Sequence, residues 1–316
     1  MNVDGLISNF GELTSTGLTL GAIYALVALG YTLVYGVLRL LNFAHSEVFI
    51  AGSFAAIWIW GAFGLNQDSH VAGVGTIVFY LLVAMIGAAL ASALTAAAVE
   101  RVAYRPLRRR NAPPLAFLIT AIGASIVLSE ALGIFTRRRP SGVPVLVSNE
   151  PLFTIGKVEI STQQLLIIGA ALTMMIGLDV FINRSRIGRG IRAVAQDPNT
   201  AALMGINKDR IILAVFVVGG LMAGIAGVLY DMRIGSVTYN VGFLLGLKAF
   251  TAAVLGGIGN LRGALLGGLL LGLTENYASG LFGTEWKELT AFVVLVVLLM
   301  FRPTGLLGES LGRARA

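Results

Sequence analysis

The segment RLLNFAHSE, residues 39–47, places Asn42, His45, Ser46 and Glu47 at the junction of two apolar stretches. Asparagine is a strong helix N-cap, so a helix is expected to start at Asn42. A helix N-terminus inside a membrane presents free N–H groups and the positive end of its dipole, which suit the carboxylate of a solute. The same residues at the cytoplasmic interface would simply be hydrated. The sequence leaves both placements open.

Other chemistry is largely excluded. There are no cysteines, so disulfides, thiolate metal sites and thiol nucleophiles are ruled out. His45 and His70 lie far apart and form no HExxH pair, and there is neither a GxxxxGK[ST] phosphate loop nor a GxSxG elbow. The run Gly256-Gly257-Ile258-Gly259-Asn260 lacks the Lys and Ser/Thr of a phosphate loop and reads as a chain reversal. The acids within or at the ends of apolar stretches are Glu47, Glu130, Asp179, Asp231 and Glu275. Most fall near expected segment ends, where a charge costs little, and they form no catalytic cluster. The chain is expected to perform no chemistry and to hold no cofactor or metal of its own.

These residues must be positioned by membrane helices. Of 316 residues, 56% are hydrophobic and 12% charged, against roughly 25% charged in soluble domains. Mean hydropathy is +0.84. Repeated apolar runs near 20 residues, without strand-like alternation, indicate an all-α polytopic membrane protein and exclude a β-barrel. The organisation expected is a single permease domain over 1–316. The N-terminus, 1–16, has no Lys or Arg and so lacks the basic region of a cleavable signal. The first apolar segment should therefore remain as an anchor. Small residues at GxxxG spacing (Gly17/Gly21, Gly220/Gly224, Gly242/Gly246, Gly263/Gly267 and Gly268/Gly272) would let helices approach closely in lipid.

Apolar runs and their breakers place spans at about 17–38, 43–63, 75–98, 115–135, 164–183, 211–231, 243–258, 263–280 and 289–301. The second begins polar and the seventh is short and carries Lys248, so the bundle has about eight or nine transmembrane helices. With nine, Arg39, the arginines of 101–110, the cations of 184–210, Arg262, Arg302, Arg313 and Arg315 share one side. The other side holds Arg137, Arg138, Arg139, Lys157, Arg233 and Lys287. The first set is the larger, so it faces the cytoplasm, with the N-terminus outside and the tail, 302–316, inside. The net charge of +7 thus resides in membrane connections, some of it opposite lipid phosphate, and does not imply nucleic acid.

Two connections stand out. The external one, 136–163, has three prolines and β-branched residues that suggest turns and a short hairpin; it is either a partner-facing surface or a plain connector. The cytoplasmic one, 184–210, contains GRGIRAVAQDPNTAALMGINKDR. Asp197-Pro198-Asn199 is a helix start with proline just after the cap, and Gly205 ends the turn. A short, nearly uncharged helix between basic flanks calls for a soluble partner, with Ala201, Ala202 and Leu203 filling its groove.

The stretches GAIYALVALGYTLVYGVLRLLNFAHSEVFIAGS (21–53), ERVAYRPLR (100–108), RAVAQDPNTAALMGINKDRI (192–211), KAFTAAVLGGIGNLRGALLGGLLLG (248–272) and FRPTGLLG (301–308) together resemble LivH-type permeases of branched-chain amino acid ABC importers. The likeness runs from about residue 17 to 308. It implies a bacterial or archaeal cytoplasmic membrane, a LivM-type second permease, two ATPases of the LivF and LivG type carrying ATP and Mg, and a periplasmic or lipid-anchored solute-binding protein. The loop at 197–205 would then be the coupling helix seated in an ATPase, with Arg192, Gln196, Asp197, Pro198, Asn199, Thr200, Ala201, Ala202, Leu203 and Gly205 at that contact. Its Thr200-Ala201-Ala202 stands where importer loops carry EAA, so the Glu is absent and the spacing to Gly205 is shorter. Tyr24, Tyr31, Asn42, His45 and Glu47 are the residues expected to line the solute path. A self-sufficient carrier or channel is the competing reading, disfavoured by the scarcity of mid-span acids.

Overall fold

The computed structural model describes residues 9–69, 71, 73–147, 151–155 and 158–308; His70, Lys157, Arg313 and Arg315 lie outside them. Each of the nine apolar segments is a helix: α1 Phe10–Leu38, α2 His45–Ala62, α3 Val74–Val99, α5 Pro114–Phe135, α6 Thr162–Arg184, α9 Lys208–Ile234, α10 Val241–Gly256, α11 Leu261–Phe282 and α12 Lys287–Phe301. Lipid offers the backbone no hydrogen-bond partner, so each apolar run closes on its own carbonyls. Among the described residues three short α-helices accompany them: α4 Arg105–Arg109, joined to α3 by a π-helical turn at Glu100–Tyr104, then α7 Arg186–Gln196 and α8 Pro198–Leu203; a 3-10 turn at Thr284–Trp286 precedes α12.

Among the described residues five helical stretches are long and apolar enough to cross a bilayer: Phe10–Leu38, Val74–Arg109, Pro114–Phe135, Thr162–Arg184 and Lys208–Ile234. α10 and α11 pass the same test only as a pair, bent by 120° at their junction. The glycine run makes that reversal, with Gly257 at φ +104° and Gly259 at φ +98°, a region that side chains with a Cβ rarely enter. Asn260 then caps α11, its Oδ1 accepting from the N–H groups of Arg262 and Gly263 at 3.1 Å each.

The described residues pack as two compact units, one within Met1–Thr32, Ser148–Met175 and Leu247–Ala316, the other within Leu33–Val147 and Ile176–Gly246. In the first, two GxxxG pairs face each other. Gly17 lies against the backbone of Gly272 and Leu273, and Gly21 against that of Gly268 and Leu269. A Cβ at Gly21 would come within 2.7 Å of the Gly268 carbonyl oxygen, so α1 and α11 are in backbone contact. Gly263 and Gly267 bring α11 equally close to α10 at Gly256 and Ala252.

The second unit is built around α2, α3 and α9. Gly220 and Gly224 of α9 rest on the α3 backbone at Ser92–Ala93 and Ala88–Ala89, and the Ser92 hydroxyl donates to the Val48 carbonyl of α2 at 2.8 Å. Phe49, Phe54, Trp60 and Phe216 are fully buried there. Val78, Leu82, Ile86, Leu90 and Leu94 of α3, with Leu115, Ile119, Ile126 and Ile134 of α5, are exposed. In water such surfaces would aggregate; against acyl chains they are at home.

The expected hairpin in the 136–163 connection is present, as β2 Pro151–Ile155 antiparallel to β3 Val158–Ser161. The same connection also contributes β1 Ser141–Gly142, which pairs antiparallel with β4 Ser236–Val237. One expectation is corrected. Asn42 does not cap α2, which begins at His45 behind Ala44 with no side-chain cap. The Asn42 Oδ1 instead accepts from the Tyr104 hydroxyl at 3.1 Å, and only its carbonyl meets the helix, at the His45 N–H.

Candidate functional site

The connection 184–210 folds into two helices at an angle set by Asp197. Ser185 caps α7, its Oγ accepting from the Gly188 N–H at 2.8 Å. α7 buries Gly188, Gly190, Ile191 and Val194 and exposes Arg186, Arg189, Arg192 and Gln196. This is the one-sided apolar stripe of a surface helix. Arg192 is turned back on its own chain, donating to the Ile182 carbonyl.

Asp197 has extended backbone, ends α7 and caps α8. Its Oδ1 accepts from the Asn199 N–H at 2.8 Å and its Oδ2 from the Thr200 hydroxyl at 2.5 Å. The Thr200 hydroxyl foremost, then the backbone N–H groups of Asn199 and Thr200, hold this carboxyl below the ordinary carboxylate range. Pro198 stands in the first turn, where its missing N–H is not needed. Gly205 at φ +83° closes the loop. Ala201, expected to enter a partner's groove, is instead buried in its own chain, because its side of the one-turn helix faces inward. The outward side carries Ala202 with Leu203 and Met204, the latter two 88% and 79% exposed.

The five candidate path residues are all buried. They fall in both units. In the unit holding α11, the Tyr24 hydroxyl donates to Glu275 Oε2 at 3.0 Å. Glu275 Oε1 lies 3.3 Å from Lys248 Nζ, which also reaches the half-exposed Glu288 at 2.9 Å. Tyr31 packs edge-on against Phe250, ring centres 6.3 Å apart. In the other unit, Glu47 Oε1 accepts from the hydroxyls of Ser125 at 3.2 Å and Ser46 at 3.5 Å. His45 stands two positions before it, and Asn42 is held by Tyr104 as above.

The expectation that the acids sit where charge is cheap is overturned for three of them. Glu47, Asp231 and Glu275 are at most 1% exposed, although Glu47 and Asp231 stand in terminal turns of their helices and Glu275 two turns from the end of α11. Position along a helix fixes depth but not which face a neighbour covers. Asp231 meets the Ser53 hydroxyl; Glu275 meets Lys248, the cation that made α10 look doubtful as a span. The sequence reading missed Lys248, Ser53, Ser125 and Tyr104 as partners. The one available signal was the charge of Lys248 itself, since an intramembrane cation requires an anion.

The family model described as "branched-chain amino acid transport system / permease component" matches residues 13–300. The chain is 43% identical to the high-affinity branched-chain amino acid transport system permease protein BraD of Pseudomonas aeruginosa, over 93% of this chain and 94% of that one. It is 40% identical to the permease protein LivH of the corresponding system in Escherichia coli K12, with the same coverage. A probable branched-chain amino acid transport permease protein of Methanocaldococcus jannaschii is 24% identical over 90% of this chain and 88% of that one.

Proposed function

The chain belongs to the family of permease components of branched-chain amino acid transport systems, and from that premise we propose how it works as the membrane subunit of an ATP-driven importer. It is a permease subunit and not itself an enzyme. A self-sufficient carrier or channel does not fit relatives that are components of a transport system. The solute proposed is a branched-chain or related small amino acid, delivered by an external, periplasmic or lipid-anchored binding protein. A LivM-type permease completes the pore, and LivF/LivG-type subunits bind ATP and Mg.

The observation that carries the mechanism is the exposed Leu203–Met204 edge of α8, held out from the chain by the Asp197 cap. This element is the proposed coupling helix. Two large apolar side chains on a polar connection are a natural anchor for a groove on a soluble ATPase. Closure of the ATPases on ATP would displace α7 and α8, and with them α9, so that access switches from one side of the membrane to the other. Eight or nine crossings are proposed, with the N-terminus outside, the basic connections 101–110 and 184–210 inside, and the whole chain acting as one permease domain. Tyr24, Tyr31, Asn42, His45 and Glu47 are the proposed lining of the path.

The test replaces Asp197–Gly205 with a flexible linker of equal length. Insertion is expected to persist while transport and solute-stimulated ATP hydrolysis disappear. Full transport by that variant would remove the coupling role.

A further inference from the structure

The arginines of the 101–110 connection do more than set orientation. α3 runs on through its π-helical turn into α4, giving one continuous stretch, Val74–Arg109. At its end Arg108 Nη2 lies 2.8 Å from Asp209 Oδ1 and 2.8 Å from Glu100 Oε1. Arg105 Nη2 approaches Asp209 Oδ2 at 3.4 Å, and Arg109 Nη2 at 3.8 Å. The Glu100 side chain is 1% exposed, Arg108 17% and Asp209 23%. Asp209 stands in the first turn of α9, immediately after the α7–α8 connection. A single carboxylate thus gathers three arginines from the end of another transmembrane helix. Such a partly buried network holds its geometry far better than an exposed pair.

The other end of this arrangement reaches Asn42, one of the residues proposed to line the path. The π-helical turn carries Tyr104, whose fully buried ring packs on Phe117 and Phe216 at 6.0 and 5.2 Å between centres. Its hydroxyl donates to the Leu41 carbonyl at 3.2 Å and to Asn42 Oδ1 at 3.1 Å. π-helical turns inside α-helices are rare and are frequent at functional sites. An i→i+5 turn is a place where a helix can kink.

We propose that Asp209, with Arg105 and Arg108, is the positioning group that passes displacement of the α7–α8 connection through the Glu100–Tyr104 turn to Tyr104 and Asn42. The route lies within one compact unit. It rests on α8 being the ATPase contact, and it assigns roles to residues outside that contact. Asp209 touches neither solute nor nucleotide; it fixes what α9 pulls on.

The experiment uses the assembled importer in proteoliposomes. Asp209→Asn keeps the shape and removes the charge; Tyr104→Phe keeps the ring and removes the hydroxyl; Asp209→Glu restores the charge. Four quantities are read: co-purification of the ATPases, basal hydrolysis, thermal stability, and solute imported per ATP hydrolysed. Asp209→Asn and Tyr104→Phe are expected to retain the ATPases and hydrolyse ATP, while import per ATP falls about tenfold, as loss of a typical coupling free energy does. Asp209→Glu is expected to recover most of it. Arg105→Gln, which leaves the shorter Arg108 contacts in place, should fall between. An unchanged import-to-ATP ratio in Asp209→Asn overturns the proposal. So does loss of the ATPases from its complex, which would make the cluster a support for docking. So does a defect that tracks thermal stability and is not rescued by Asp209→Glu. A Leu203→Ala/Met204→Ala variant separates the premises: wild-type transport there removes the α8 contact itself, whereas failure there beside a normal Asp209→Asn removes only the relay.

Discussion

Lys248→Met isolates the energetics of the buried pair in the α10–α11 unit. Lys248 and Glu275 are 6% and 0% exposed, with Nζ and Oε1 3.3 Å apart. At an effective dielectric of about 20 their attraction is about 5 kcal/mol. Truncating the lysine leaves Glu275 buried with the Tyr24 hydroxyl and the more distant charge of Lys287, and breaking such a pair typically costs about 3–5 kcal/mol. The second contact, to half-exposed Glu288, adds little because water screens it. The expected loss is therefore about 3–5 kcal/mol, a large part of a typical folding free energy. Lys248→Met/Glu275→Gln removes both charges and keeps an acceptor for Tyr24, so it should regain most of that loss. The assay is reversible unfolding of the solubilised chain in mixed micelles, followed by tryptophan emission. A single variant within about 0.5 kcal/mol of wild type, or a double variant no more stable than the single, would falsify the reasoning.

Other outcomes follow from the same structure. Gly21→Ala drives a methyl into the Gly268 carbonyl and should destabilise by about 1–3 kcal/mol, whereas Gly61→Ala, with open space around it, should be silent; thermal unfolding of the two in one detergent compares them. Because the chain has no cysteine, Leu203→Cys and Val145→Cys can each be the only thiol. A membrane-impermeant maleimide should label Val145→Cys in intact cells and Leu203→Cys only in inverted vesicles, and the opposite pattern would reverse the proposed orientation. The lowered carboxyl of Asp197 favours the capped fold at every pH above the ordinary carboxylate range, and that contribution fades only as pH falls through the lowered value. Hydrogen exchange at the Asn199 amide should therefore show constant protection near neutrality and lose it in strong acid. In Asp197→Ala that protection should be absent at all pH values.

The helices were legible because lipid imposes one rule on every residue of a span, and length with apolarity suffices to apply it. The Asp197-Pro198 start of α8 and the glycine reversal at 257–260 were legible because caps and positive φ are properties of single residues and their neighbours. The GxxxG faces could be seen, but their pairing could not: nothing local says that Gly17/Gly21 meets Gly268/Gly272. The same limit explains the errors. Asn42 has the chemistry of a cap, yet Tyr104, 62 positions on, claims its side chain. Glu47 and Asp231 look peripheral along their helices, and they and Glu275 are buried by neighbours far away in sequence. α7 could have been found from its alternation of Arg and small apolar residues at helical spacing. The π-helical turn has no comparable residue signature.

The break between α10 and α11 has a consequence for how the chain is made. Ending α10 at Gly256 leaves carbonyls that cannot be satisfied by its own helix. The Leu306 N–H donates to the Leu255 carbonyl at 2.9 Å and the Leu307 N–H to Gly256 at 3.0 Å. Asn260 Nδ2 in turn donates to the Leu307 carbonyl at 2.9 Å, across 47 positions. The reversal is therefore closed by residues that leave the ribosome well after it. Until 304–308 emerge, the nascent hairpin carries open backbone groups, so the closure is completed only after α12 has been made. Truncations before Leu306 should then accumulate as protease-sensitive, inserted chains, while fusions placed beyond Gly308 leave the closure intact.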